Sequence, residues 1–202
     1  MTLKKINLIF CFAICFSFFS CKNSQKDATS EHKTEVLLSQ FKDDFTRNLF
    51  VEGQKLLEQG NIEEAKIRFY EVYEIEPLHA FVLNTLAEVE NNYGDKNKAI
   101  EIYYASKEAH PEYLDTYVEL SKLLIEQGEP GRAIEILNEG ESYLKEEEQY
   151  FSFYYALSEA YYSNGECVTA KDYLEKALFF GKNDSQKEQA KRLTDKIESN
   201  CH

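Results

Sequence analysis

Apolar residues recur at helical spacing through most of the chain, in paired runs separated by short polar turns. In the first pair, Leu49, Gly53 and Leu56 share one helix face, and Ala65, Phe69 and Val72 share another. The pattern returns with Leu83, Leu86 and Ala87, then Ala99, Tyr103 and Ser106. It returns again with Tyr117, Leu120, Ser121 and Leu124, then Ala133 and Leu137. A fourth pair carries Tyr154, Leu157, Ser158 and Tyr161, then Ala170, Leu174 and Ala177. Ser185 to Ser199 makes one further amphipathic run, with Ala190, Leu193 and Ile197 on one face and charges elsewhere. Thr34 to Asp44 carries Val36, Leu37, Leu38 and Phe41 and is expected to extend or precede the first helix. Only 8 Gly and 3 Pro occur in 202 residues. An all-β sandwich needs more frequent turns, so the pattern predicts an all-α protein.

The turns are periodic. Gly60, Gly94 and Gly128 are 34 residues apart, and Gly165 follows after 37. Five residues after each stands Ala65, Ala99, Ala133 and Ala170; four further on come Phe69, Tyr103, Leu137 and Leu174. Pro77 and Pro111 close the first two units. In the first unit Gly60 fits the left-handed residue that ends a helix, and Asn61 is a candidate cap for the next.

These columns resemble the tetratricopeptide repeat (TPR), a helix-turn-helix unit of 34 residues. The units would be 46–79, 80–113, 114–147 and 151–184, in a TPR domain over 37–184 with a capping helix at 185–202. Repeat three departs from the pattern: Gly140 takes a small helix-B position and no closing proline appears. The charged run Glu146-Glu147-Glu148 points to a longer second helix there, with the charges at a solvated end. A single hairpin cannot bury its own apolar face, but stacked hairpins can. Most of the 14 Tyr and 14 Phe are thereby packing residues, or belong to the signal segment, rather than a cofactor site.

The resemblance also implies a concave face lined by the first helix of each unit. Carried position by position, it names Arg47, Phe50, Gln54, Leu57 and Glu58, then Phe81, Asn84, Glu88, Asn91 and Asn92. Repeat three supplies Asp115, Val118, Lys122, Ile125 and Glu126; repeat four supplies Ser152, Tyr155, Glu159, Tyr162 and Ser163. The clamp for C-terminal carboxylates found in chaperone-binding members needs Lys and Asn in the first repeat and Lys and Arg in the third. Phe50, Gln54, Asp115 and Glu119 stand there instead. The mixture of aromatics and acids suits a protein partner: a segment of neutral or basic character. Two alternatives stand beside it: some of the apolar residues pack between helices, or the groove serves a glycan or nutrient for an import system.

The first 20 residues read as an address. Lys4 and Lys5 precede an uncharged run from Ile6 to Phe19, and Ser20-Cys21 follows. That run is 14 residues, whereas a spanning helix needs ~20. The pattern predicts a cleaved signal peptide over 1–20, the alternative being an uncleaved anchor. Phe18-Phe19-Ser20-Cys21 resembles a bacterial lipoprotein lipobox, which implies cleavage before Cys21 and lipidation of its thiol. Phe18 departs from the usual leucine, and Lys22 is not the aspartate that retains many lipoproteins in the inner membrane. The resemblance therefore points to the outer membrane, with 21–36 as a flexible tether. Asn23 to Asp27 within it is either a surface-export signal or plain linker.

Charge narrows the partners. Lys plus Arg number 23 against 36 Asp plus Glu, a net −13. Loss of residues 1–20 removes two lysines and no acid, leaving net −15. Phosphate backbones need a basic face, so no nucleic-acid partner is expected. His32, His79, His110 and His202 fall in no zinc, nucleophile or phosphate-loop motif. No enzyme activity, metal or cofactor is expected.

Cys11 and Cys15 leave with the signal segment and Cys21 takes the lipid, which leaves Cys167 and Cys201. Cys167 starts the last second helix and Cys201 follows the capping helix. Consecutive antiparallel helices of similar length put the two at one edge, so a disulfide is expected. The alternative is a buried free Cys167 and a frayed Cys201.

Overall fold

Helix ends follow local chemistry. The computed structural model describes residues 38–201 and divides into two units, Met1–Asp43 and Asp44–His202. In the first, residue 38 is helical and residues 39–43 form turns and bends. The segment 1–20, Cys21, the tether 21–36 and His202 lie outside the described residues.

The second unit contains α1 (Asp44–Glu58), α2 (Ile62–Ile75), α3 (Ala80–Tyr93), α4 (Lys96–Ala109) and α5 (Leu114–Glu126). It continues with α6 (Pro130–Glu141), α7 (Glu147–Ser163), α8 (Cys167–Phe180) and α9 (Asp184–Asn200). No strand occurs among the described residues. The described residues of this unit form an all-α solenoid of the TPR type: four helical hairpins followed by one closing helix.

Three of the four turn glycines do the same work. Gly60, Gly128 and Gly165 have φ of 80°, 79° and 83°, the left-handed region that glycine adopts without a steric penalty. In each turn the next residue's N–H reaches back five residues: Asn61 to Leu56, Glu129 to Leu124 and Glu166 to Tyr161, all at 2.9 Å. This is the Schellman closure of a helix. Gly94 differs, with φ −140°. A Cβ there would lie 2.0 Å from Glu90 Oε2, so this glycine makes room for a carboxylate.

Starts are more varied. Asp95 Oδ1 accepts from Asn97 N–H at 2.8 Å, and Asn183 Oδ1 accepts from Gln186 N–H at 2.9 Å. Asn61 makes no side-chain cap hydrogen bond. Its backbone alone begins α2, because its carbonyl accepts from Ala65 N–H at 3.0 Å. The run at 146–148 does not prolong α6, which ends at Glu141. Glu146 instead caps α7 in a capping box with Gln149. Acidic groups suit the positive end of a helix, so α7 starts at Glu147, ahead of residue 151.

The core follows the repeat columns. Ala65, Ala99, Ala133 and Ala170 are all fully buried, as are Phe69, Tyr103, Leu137 and Leu174 to within 3%. Small residues permit close crossings. A Cβ on Gly53 would lie 2.7 Å from Phe69 Cε1, and one on Gly140 2.7 Å from the Tyr117 ring. One apolar cluster joins α3 to α7. A second joins Phe151, Ala170, Leu174 and Ala177 to Ala190, Leu193 and Ile197 of α9.

Several of the polar groups inside bond across the repeats. Asn84 Nδ2 donates to Ser106 Oγ (2.8 Å) and Thr116 Oγ1 (2.9 Å), knitting α3 to α4 and α5. Ser158 Oγ donates to the Ala170 carbonyl at 2.8 Å. Glu90, 3% exposed, accepts from Tyr70 OH (2.6 Å), Lys66 Nζ (3.1 Å) and Asp95 N–H (3.2 Å), with Lys98 Nζ at 3.5 Å. It ties the first hairpin to the second.

Candidate partner-binding groove

The first helices of the hairpins share one face, and electrostatic coupling marks its extent. Glu88 of α3 feels Glu119 and Lys122 of α5. Lys122 also acts on Glu159 of α7, as does Lys196 of α9. Glu119 holds Lys122 directly, Nζ to Oε1 2.7 Å. One lysine thus serves three carboxylates from three repeats, and Lys196 is a second counter-charge for Glu159.

The acids are not fully hydrated. Burial pushes the Glu88 carboxyl up, and Glu119 adds to this against the pull of Lys122. Burial likewise raises Glu159, opposed by a hydrogen bond with Tyr155 and by Lys122 and Lys196. Tyr155 is raised by burial and by the adjacent Glu159 carboxylate. Groups partly stripped of water interact more strongly with an incoming charge than solvated ones.

The residues named from the repeat pattern divide into three sets. Glu88 and Lys122 are exposed. Gln54, Leu57, Phe81, Asn91, Ile125, Tyr155, Glu159 and Tyr162 are half-buried, with part of each surface open. Phe50 and Val118 are not groove residues: they are 0% and 7% exposed. Phe50 packs against Phe69 (centroids 5.3 Å) and Phe81 (4.9 Å), and Val118 belongs to the central core. Both positions turn toward the neighbouring helix rather than the open face. Asn84, half-buried, spends its amide on Ser106, Thr116 and the Ala80 carbonyl, so its role is inter-repeat bonding. Among the flanking positions, Arg47 is half-buried, and Glu58, Asn92, Asp115, Glu126, Ser152 and Ser163 are exposed.

The repeat pattern gave no hint of the contribution of α9. Arg192 is coupled to Tyr155, Lys196 to Glu159, and Asn200 Nδ2 donates to Tyr162 OH at 2.7 Å. The closing helix therefore forms the end wall of the groove. The signal was present as Arg192, Lys196 and Asn200 at i, i+4 and i+8, one helix face.

Cys167 and Cys201 form a disulfide, with Cα atoms 5.9 Å apart across a sequence separation of 34. It fixes the C-terminal end of α9 to the first residue of α8. Among the described residues, no group of three or more His, Cys, Asp or Glu is placed to hold a metal ion. No helix among them is long and apolar enough to cross a membrane.

No protein-family model matches the sequence, and no curated protein matches it. Solved structures do. PilF of Pseudomonas aeruginosa is similar over 76% of this chain and 69% of its own, at 22% identity and a TM-score of 0.64. A MamA crystal structure is similar over 76% of this chain and 86% of its own, at 22% identity and a TM-score of 0.58. A MamA chain from Desulfovibrio magneticus RS-1 covers 78% of this chain and 95% of its own, at 16% identity and a TM-score of 0.58. At these identities the likeness is one of fold, the TPR-type helical solenoid.

Proposed function

We propose that this chain is a non-catalytic protein-interaction scaffold or assembly factor, anchored at the bacterial envelope through a lipidated Cys21. Its groove holds a neutral or basic segment of a partner. The observation that carries this reading is the shared face itself, where Lys122 is the common counter-charge of Glu88, Glu119 and Glu159. A segment bearing a lysine or arginine would balance that charge, and the open parts of Leu57, Ile125 and Tyr155 would receive apolar side chains. The half-buried Tyr155 and Tyr162 pack against the α9 cluster, which favours a protein segment over a glycan that needs open stacking faces.

Charge reversal tests the groove. Glu88→Lys with Asp115→Lys changes two exposed side chains. Stability should move by less than ~0.5 kcal/mol at Glu88 and fall by up to ~1 kcal/mol at Asp115, which stands in the first turn of α5. Capture from detergent-solubilised envelope should lose the partners that the unaltered protein retains, and salt should elute those partners. Identical capture by both forms would contradict the reading.

The anchor has its own test. The basic start, the 14-residue apolar run and Ser20-Cys21 support processing before Cys21. The mature protein should begin at Cys21, carry a diacylglycerol mass on that residue and fractionate with the outer membrane. Cys21→Ser should leave the precursor unprocessed and without the lipid mass. A mature form of unaltered mass would contradict lipidation.

A further inference from the structure

The disulfide lies where chemistry can reach it. Both cysteines are half-buried and line an open surface cavity with Thr169, Lys171 and the 77% exposed Val168. The two sulfurs are electrostatically unequal. Cys167 is the first residue of α8, at the positive end of a helix; Cys201 caps the C-terminal, negative end of α9. A thiolate is stabilised at the first and disfavoured at the second.

The helix that the bond holds is the last of the array, so no further helix packs over it. Over its 17 residues, α9 buries Ala190, Leu193 and Ile197. Its remaining side-chain ties to the groove run through Arg192, Lys196 and Asn200.

We propose that Cys167–Cys201 is a reducible clasp that sets whether α9 stays docked as the end wall of the groove. The reductant is a dithiol. Its thiolate attacks Cys201 Sγ, forming a mixed disulfide as the Cys201–Cys167 bond breaks and Cys167 departs as thiolate. The second thiol of the reductant then attacks its own sulfur in the mixed disulfide and releases Cys201 as a thiol. The reductant ends as a disulfide, having supplied two electrons, and both protein cysteines take up protons according to pH. With the bond gone, α9 opens and uncovers Phe151, Leu174, Tyr155 and Tyr162. The clasp stands apart from the reading of the groove as a binding site, and its failure would leave that reading untouched.

The test uses the processed protein in its native state. Brief treatment with glutathione, a monothiol, should place the first mixed disulfide on Cys201. Dithiothreitol should then reduce the bond without denaturant. Amide exchange across 184–200 should rise by about tenfold or more, while α3 to α6 keep their protection. Cys201→Ser should show the same fast exchange in α9 without a reductant, and reduced unaltered protein supplies the readout if that variant folds poorly. Three results would overturn the proposal: a bond that dithiothreitol reduces only in urea, unchanged exchange in α9 after reduction, or a first adduct on Cys167.

Discussion

Glu90→Ala is expected to destabilise the protein by ~3–5 kcal/mol, the cost of removing one partner from a buried, hydrogen-bonded charge cluster. Lys66 would lose its carboxylate, and the Tyr70 hydroxyl and Asp95 N–H would lose their acceptor. For a solenoid of this size that corresponds to a fall in Tm of roughly 10 °C. The pH dependence identifies the mechanism. Burial alone pushes the Glu90 carboxyl up, but the donors from Tyr70, Asp95 and Lys66 outweigh it and hold it down to about 2, from an ordinary 4.5. Unfolded Glu90 therefore takes up its proton at higher pH than folded Glu90. Its contribution is complete above about pH 4.5 and is lost as pH falls toward 2. Urea unfolding of both proteins at pH 7 and pH 3 checks this: the gap between them should narrow at pH 3. A pH-independent gap would mean the loss is one of packing, not of a charged hydrogen bond.

Phe50→Ala should cost ~3–5 kcal/mol, as a fully buried phenylalanine truncated to a methyl leaves a cavity. The truncation removes the ring that packs against Phe69 and Phe81, at centroid distances of 5.3 and 4.9 Å. Repeat arrays couple mainly neighbour to neighbour, so the damage should be local. Amide exchange should accelerate in α1 to α3 and stay slow in α7 and α8. A destabilisation below ~1 kcal/mol, with partner capture abolished, would return Phe50 to the groove and contradict its place in the core.

These two residues also mark where the sequence was hard to read. The helical hairpins were legible because glycine, alanine and a large apolar residue recur in fixed register, and each column has one physical job. Groove membership was legible only in part. Phe50 and Val118 occupy first-helix positions that the repeat pattern assigns to the open face, but a small rotation of a helix decides which way such a residue turns. Glu90 gave no local sign. It sits in Glu90-Asn91-Asn92, which reads as a solvated helix end, and its partners Tyr70 and Lys66 lie a repeat away. The start of α7 was recoverable, since Glu146 and Gln149 have capping-box spacing, yet the triple acid reads equally as a helix end.

The closing helix shows a related limit. Ala190, Leu193 and Ile197 foretell a cap, and Cys201 a tie to α8. That its outer residues complete the groove depends on the angle at which α9 meets α7, which amphipathic spacing does not encode.

The central claim is that the partner lies along the face shared by the first helices. A photo-crosslinking amino acid placed in turn at Glu88 and Lys122 probes that face; the exposed Ile67 of α2 and Glu135 of α6 probe the second helices. Irradiation in intact envelope should give the same partner adduct from 88 and 122 and none from 67 or 135. Adducts from 67 and 135 alone would place the partner on the opposite face and contradict the account.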